Sequence, residues 1–259
     1  MGSQAAVASD IGPEGFWNTY SRYYDSIYQL MPYRKLLWDA FQALDLRTGA
    51  RVLDAGCGTG NFEHFIAEKG HPPIEIDAVD FSPLMLERAR RKCARLDHVR
   101  FAQADLNDAL PFPDDTFDRI VSINVLYALS DQDRHLSELL RVLRPEGLLV
   151  VSSPIPDFKW GPLVSEHFGR IGNIWGTGRR ARTVAASIRV LATSAWGSFA
   201  VDKLVISRRE YSGEYRSFGE AELGWLLERH RADGLGAYSI QPAMARQNLF
   251  ATASKMLPT

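Results

Sequence analysis

The sequence predicts an α/β fold, a mostly parallel sheet with helices on both faces. Three observations predict it. Between residues 51 and 154, short apolar strands alternate with helical stretches, the pattern of βαβ units. The turn between the first strand and the first of those helices, VLDAGCGTGNFEHF (52–65), carries three glycines within five residues. An acidic residue, Asp80, ends the following strand, twenty residues after Gly60.

The elements follow in order. Residues 16–45 read as helical and aromatic-rich: Tyr20, Tyr23, Tyr24 and Tyr28 recur at helical spacing, and the pattern resumes at Leu36, Leu37, Phe41 and Leu44. Strands are predicted at 51–55, 75–80, 99–104, 117–124 and 148–152, and helices at 61–68, 83–96 and 131–143. Ser82 is placed to cap the second of these helices, with Pro83 at its first position. Pro145 and Gly147 mark the end of the third. Alternation lapses between about 155 and 216; a helix at 218–230 and strands near 237–241 and 248–253 then bring the strand count to seven.

Composition narrows the function classes. The chain has 259 residues, 46% hydrophobic and 24% charged, with net charge −1. That suits one large domain, or a core with an insertion, and gives no global pull toward nucleic acid or membrane. Two cysteines, Cys57 and Cys93, make no disulfide framework and no zinc-ligand cluster, so no metal is expected. No apolar run approaches the ~20 residues of a membrane span, and the first residues lack the basic start and apolar centre of a secretory signal. The expectation is a cytoplasmic protein.

The glycine turn carries the chemistry. Dense glycine lets the backbone approach a ligand, and the helix that follows offers free N–H groups. An acid at the end of the next strand can accept two hydrogen bonds from a ribose diol. Gly56, Gly58 and Gly60 form G-x-G-x-G rather than the dinucleotide pattern G-x-G-x-x-G, and Asp54 precedes them. An acid beside the cradle suits an ammonium-bearing ligand better than a pyrophosphate. No G-x-x-x-x-G-K-[ST] phosphate loop is present.

With these motifs the chain resembles the class I S-adenosylmethionine (SAM)-dependent methyltransferases, closely over about 45–154 and loosely over 217–253. VLDAGCGTG resembles the family's first motif, and AVDFSP the second. QADLNDALPFPDDTFDRIVSINVLYAL resembles the next pair, and LRVLRPEGLLVVSSP the segment around the fifth strand. The resemblance implies a Rossmann-like seven-stranded sheet with an antiparallel last strand and a helical cap insertion. It implies SAM as cofactor, with S-adenosylhomocysteine as product. By likeness, Asp54, Gly56, Gly58 and Gly60 lie beside the methionine part, Asp80 on the ribose, and Phe81 near the adenine. Asp105 and Leu106 hold the adenine edge, and Asn124 sits near the methionine part. Five segments are expected: a disordered tail (1–13), an N-terminal helical lid (14–45), a SAM-binding core (46–154), a cap insertion (155–216) and the C-terminal part of the sheet (217–259).

Each candidate has a plainer reading beside it. Asp54 can be a structural cap of the loop and Asp105 a strand-end turn former. Cys57 reads as a small residue in a tight loop, since nothing supplies a base for a thiolate. The N-terminal tyrosines at helical spacing read as core packing; in family members whose first helix closes over SAM, such rings exclude water and attract cations. Tyr20 and Tyr24 are the lid candidates for the site, with Tyr20 also a cofactor contact. Many small-molecule members carry histidine after the fourth strand; here NVLYAL places Tyr127 there. Tyr20, Tyr24, Tyr127 and His167 are therefore the catalytic candidates.

The insertion is expected to read the substrate. Ten Lys/Arg against five Asp/Glu lie within 155–216. The plain reading is a solvated cover helix. Alternatively its bases grip an anionic group, or GRRARTVAASIRVLATSAWGSF forms an amphipathic helix that docks on a membrane to reach a lipid headgroup. Trp160, His167 and Trp175 are further cap candidates for lining a pocket. The preferred function is methyl transfer from SAM to N, O, S or C of a small molecule, possible peripheral membrane contact included. The rivals are a lipid-headgroup N-methyltransferase, a nicotinamide-dependent oxidoreductase, which the glycine spacing disfavours, and a non-catalytic binding module. Nucleic acid is not expected as partner: no N/D-P-P-Y/F motif follows the fourth strand.

Overall fold

Five apolar stretches become parallel strands, the inner ones buried on both faces by crossover helices and the edge one partly exposed. In a computed structural model that describes residues 15, 17, 20, 21, 24–172 and 215–257, they are β1 (Arg51–Ala55), β2 (Glu75–Asp80), β3 (Val99–Gln103), β4 (Phe117–Ile123) and β5 (Leu143–Pro154). With β6 (Leu235–Ala243) and β7 (Asn248–Lys255) they form one seven-stranded sheet of order β3-β2-β1-β4-β5-β7-β6. β1 to β5 are mutually parallel; β7 runs antiparallel to β5 and to β6. This is the expected Rossmann-like sheet with its antiparallel last strand.

Side chains alternate across the sheet, so neighbouring residues enter different cores. Val52, Val121 and Val150 pack with α1 (Met31–Ala43) and α2 (Asn61–Lys69), through Leu36, Leu37, Phe62, Phe65 and Ile66. Leu86 of α3 (Pro83–Lys92) joins the same cluster. Leu53, Ile120, Leu149 and Val151 face the other way, onto α4 (Gln132–Val142) and α6 (Glu220–Arg229). Each fully buried leucine-sized side chain contributes about 1.5–3 kcal/mol, so these two cores hold the sheet between its helix layers.

The caps appear as anticipated. Ser82 Oγ accepts from Met85 N at 3.2 Å, with Pro83 opening α3. Asp131 caps α4 by accepting from Arg134 N at 2.9 Å.

Three boundaries differ from the sequence reading. The stretch 16–45 is not one helix. Residues 15, 17, 20, 21 and 24 are helical, Ile27–Gln29 is a 3₁₀ turn, and Leu30 is extended before α1 begins. Pro32 in the first turn of α1 keeps the two apart, because it lacks an N–H and its ring clashes with a helical carbonyl four residues back, so no helix runs on from the upstream segment. The helix expected to reach 96 ends at Lys92. α4 stops at Val142 and β5 begins at once, with a register shift beside Phe117; Pro145 and Gly147 fall within that irregular strand start. In the insertion, α5 (Trp160–Gly172) is a helix, and the rest up to residue 214 lies outside the described residues, as do residues 1–13.

Candidate functional site

Sheet order reverses between β1 and β4: from β1 the chain winds out to β3, then returns to β4 on the other side. A crevice opens where two adjacent crossovers diverge, at the carboxyl ends of the strands. A cavity of about 840 Å³ lies there. It gathers most of the residues singled out in the sequence: Tyr20, Tyr24, Gly56, Gly58, Asp80, Phe81, Asp105, Leu106, Asn124 and Tyr127.

The loop after β1 forms one wall. Gly56 has φ +93°, and a Cβ there would lie 2.2 Å from Cγ2 of Val125, just past β4. Glycine is demanded both by the backbone and by the close approach of the two strand ends. Asp80 holds this loop from the neighbouring strand. Its Oδ2 accepts from Gly58 N and its Oδ1 from Ser82 N, both at 2.9 Å. Each carboxylate oxygen keeps a second lone pair for a ligand hydroxyl. Burial pushes the Asp80 carboxyl up to about 6, against the backbone N–H groups of Ser82, Gly58 and Phe81, which draw it down.

Asp105 is both turn former and cavity wall. Its Oδ1 accepts from the backbone N and the side-chain Nδ2 of Asn107, each at 2.9 Å. Leu106 is buried beside it.

An aromatic roof covers the cavity. Trp17 and Tyr20 meet edge-on at 5.6 Å between centroids, as do Tyr20 and Tyr24 at 5.5 Å and Tyr127 and Tyr215 at 5.7 Å. The Tyr24 ring would stand 3.4 Å from a Cβ on Gly58, so the roof rests on the loop. Polar ties hold it down. Lys92 Nζ donates to Asp25 (2.5 Å), Thr59 (3.0 Å) and Asn61 (2.7 Å), and Arg88 Nε donates to Ser21 (3.2 Å). Partly exposed ion pairs contribute at most about 1 kcal/mol each, so this network orients the roof more than it stabilises the fold. Of the tyrosines at helical spacing, Tyr28 belongs to the core instead, with its hydroxyl on Glu68 at 2.9 Å; Tyr23 lies outside the described residues.

Three candidates stand away from the cavity wall. Gly60 has φ +74° at the start of α2, and a Cβ there would crowd Ala89 and Cys93 Sγ at 3.2 Å; its bareness serves the packing of α3. His167 is buried on α5, where its Nδ1 accepts from Met31 N at 3.1 Å, and burial lowers its basicity. It joins α5 to α1 and is not among the residues that line the cavity. Asp54 shares the Val52 face of β1 and so points under the loop, toward α1 and α2. There it meets Glu63 of α2, which is fully buried with no donor on either oxygen. Two carboxylates hydrogen-bond only through a shared proton. Burial first, and then the neighbouring acids Glu63 and Asp80, push Asp54 well above the carboxylate range. Burial likewise raises Glu63, opposed by Asp54's hydrogen bond and by Lys92. Burial also raises the Cys57 thiol, which leaves it unreactive.

The acid pair has a measurable consequence. A carboxyl whose folded pKa is raised stabilises the fold at low pH, and that contribution is lost as pH rises through the raised value. Thermal unfolding followed from about pH 5 to about pH 8 is expected to show a Tm that falls with pH. Glu63→Gln removes one of the two titrating groups and flattens the profile; a wild-type Tm that rises over this range would contradict the shared proton.

Several wall residues escaped the sequence reading. Trp17, Ile27, Phe158, Tyr215, Met244 and Asn248 line the cavity from segments far apart in the chain that no local motif marks. Trp160 does line it, as anticipated, while Trp175 lies outside the described residues.

The comparisons with known proteins agree with this geometry. A family model described as a methyltransferase domain matches residues 52–147. A demethylmenaquinone methyltransferase from Thermus thermophilus is 37% identical over 154 residues, covering 57% of this chain and 69% of that protein. A ubiquinone/menaquinone biosynthesis C-methyltransferase from Geobacter sulfurreducens is 33% identical over 148 residues, 55% of this chain and 54% of that protein, so the chain spans only about half of this relative. Among solved structures, a putative SAM-dependent methyltransferase from Methanococcus maripaludis superposes with TM-score 0.58 over 94% of this chain and 95% of that one, at 20% identity, a likeness of fold. With the glycine loop at the strand reversal, this sheet order and a relative matched over more than two thirds of its length, the chain belongs to the class I SAM-dependent methyltransferase family.

Proposed function

We propose that the protein transfers the methyl group of SAM to a small-molecule acceptor by in-line displacement, leaving S-adenosylhomocysteine. The observation that carries this is the single cavity wall in which Gly56, Gly58 and Asp80 meet. The residues present fit the cofactor: a bare cradle that a Cβ would fill, a carboxylate with lone pairs to spare, and an apolar slot at Phe81 and Leu106 for a flat base. When bound, SAM supplies an electrophilic methyl on a sulfonium.

The chain's own residues bind and orient. Asp80 accepts the ribose hydroxyls, Phe81, Asp105 and Leu106 hold the adenine, and Gly56 and Gly58 admit the methionine part. Tyr20 and Tyr24, with Trp17, shut water from the sulfonium side and turn ring faces toward positive charge. Rate then comes chiefly from holding two reactants in line. Residues 14–45 serve as lid and 155–216 as cap. The relatives' names point to ring-bearing acceptors, and the aromatic walls suit such a shape.

A lipid-headgroup acceptor draws on the basic insertion, most of whose charges, with the amphipathic stretch 178–199, lie outside the described residues. No helix among the described residues is long and apolar enough to cross a membrane.

Calorimetry with SAM and S-adenosylhomocysteine tests the reading. Both are expected to bind one site per chain at micromolar Kd. Absence of binding by folded protein would end it, and binding without turnover of labelled SAM across an acceptor panel would favour a non-catalytic module.

A further inference from the structure

The acceptor side of the cavity lies over the ends of β4, β5 and β7. Two amides meet there. Asn124, directly after β4, has φ +58°, an uncommon conformation for a non-glycine residue. Its backbone N donates to Ser152 O at 3.0 Å, which fixes the strained turn against β5. Asn248 opens β7 opposite Pro154 of β5. Asn248 Nδ2 donates to Asn124 Oδ1 at 2.8 Å, and Ser152 Oγ donates to the same oxygen at 3.3 Å.

The accounting that follows is specific. With Asn124 Oδ1 taken by two donors, the amide orientation of Asn124 is set, and what it can still offer is the N–H of Nδ2. Asn248 is only 1% exposed, and its Oδ1 is shut from solvent without a partner. A buried acceptor left unmade is costly, and such groups in native structures call for an explanation. Both residues line the cavity. The pair therefore holds one donor and one acceptor side by side at the cavity wall, the acceptor just beneath its surface.

We infer that Asn124 and Asn248 together recognise a neutral hydroxyl group on a flat, apolar acceptor. The hydroxyl donates to Asn248 Oδ1 and accepts from Asn124 Nδ2. A carboxylate or phosphate only accepts, an ammonium only donates, and an ether lacks the proton. Charge points the same way. Among the described residues the ionisable side chains on the cavity wall are Asp80, Asp105 and Asp157 against Arg216, apart from tyrosine. That excess of acid repels an anion, and an ammonium would sit against the like charge of the sulfonium. Apolar side chains also line the cavity, among them Met244 and the edge-on pair Phe158 and Trp160 at 5.4 Å. This specificity rests on the methyl-transfer reading of the same cavity.

The test uses four naphthalenes that share one ring and differ at position 1: 1-naphthol, 1-methoxynaphthalene, 1-naphthoate and 1-naphthylmethylammonium. Each is titrated into the full-length protein saturated with S-adenosylhomocysteine, read by tryptophan fluorescence. The expected result is that 1-naphthol binds at least tenfold tighter than the other three. Asn248→Ala should bring 1-naphthol and 1-methoxynaphthalene within about threefold of each other, with S-adenosylhomocysteine affinity unchanged as the control for folding. Equal binding of naphthol and its ether by the wild type overturns the inference without needing any variant. So does tighter binding of the naphthoate or the ammonium, or full discrimination kept by the folded alanine variant. Failure of S-adenosylhomocysteine to bind at all would instead overturn the methyl-transfer reading on which it rests.

Discussion

Replacing Asp80 with alanine is expected to raise the Kd for SAM by about 10²- to 10⁴-fold. Hydrogen bonds to a charged group are each worth about 1.5–3 kcal/mol, and a ribose diol makes two with this carboxylate. The same side chain accepts from Gly58 N and Ser82 N, so its loss also frees the glycine loop. The effect should therefore exceed what the ribose alone would lose. Asp80→Asn keeps the size but loses the charge and half the acceptors, and should fall between wild type and alanine. The pH dependence has a definite sign. The carboxylate is the form that accepts the diol, and burial places its pKa at about 6. Affinity for SAM should hold above that value and weaken as pH falls through it, approaching tenfold per unit. Calorimetry from about pH 5 to about pH 8 measures this, with Asp80→Asn as the comparison, whose affinity should vary less. Unchanged SAM affinity in Asp80→Ala would remove Asp80 from the ribose.

Gly56→Ala is expected to be the most damaging single-methyl change in the loop. Its φ of +93° taxes any L side chain, and the new Cβ would meet Val125 Cγ2 at 2.2 Å. Left-handed strain costs about 1–2 kcal/mol and overpacking about 1–3 kcal/mol, so a loss of about 2–5 kcal/mol should appear in urea unfolding. Gly49 is the built-in control. It has φ +82°, but nothing lies within 4 Å of its added Cβ, so Gly49→Ala should show the backbone cost alone. Equal losses at the two positions would mean that Val125 yields and the strand ends are not tightly apposed. The surviving fraction of folded Gly56→Ala should also bind SAM weakly, because relief of the clash parts the loop from the end of β4.

The order of elements was legible because it depends on local chemistry. Alternating apolar runs, the Ser82–Pro83 cap and the glycine turn each act within a few residues. Asp80 was legible for the same reason, since strand end and loop are adjacent in any parallel pair. Tyr20 and Tyr24 could be singled out as candidates, but their spacing matched core packing equally well, and Tyr28 at the same period does go to the core. Only the docking of the first segment, broken at Pro32 and tied through Lys92, sorts ring from ring.

Other roles were beyond sequence altogether. Asp54 sits in the motif itself, yet strand alternation turns it beneath the loop onto Glu63, a residue that reads as an ordinary helix-surface acid. Gly60 belongs to the motif but is bare for the sake of Ala89 and Cys93. His167 has the right chemistry for catalysis and spends it on Met31 N. Asn124 stands in a family motif and was expected near the methionine part of SAM, but Asn248, 124 residues on, carries no motif; antiparallel pairing of β7 with β5 brings their amides within 2.8 Å. The sequence by itself determined the sheet, the cofactor loop and the acid opposite it, because each follows from spacing along the chain. Tertiary structure decided which tyrosines roof the cavity, which acids are buried together and which amides meet at its wall. Those depend on which face of a strand a side chain takes and on contacts between distant segments, and no local pattern encodes them.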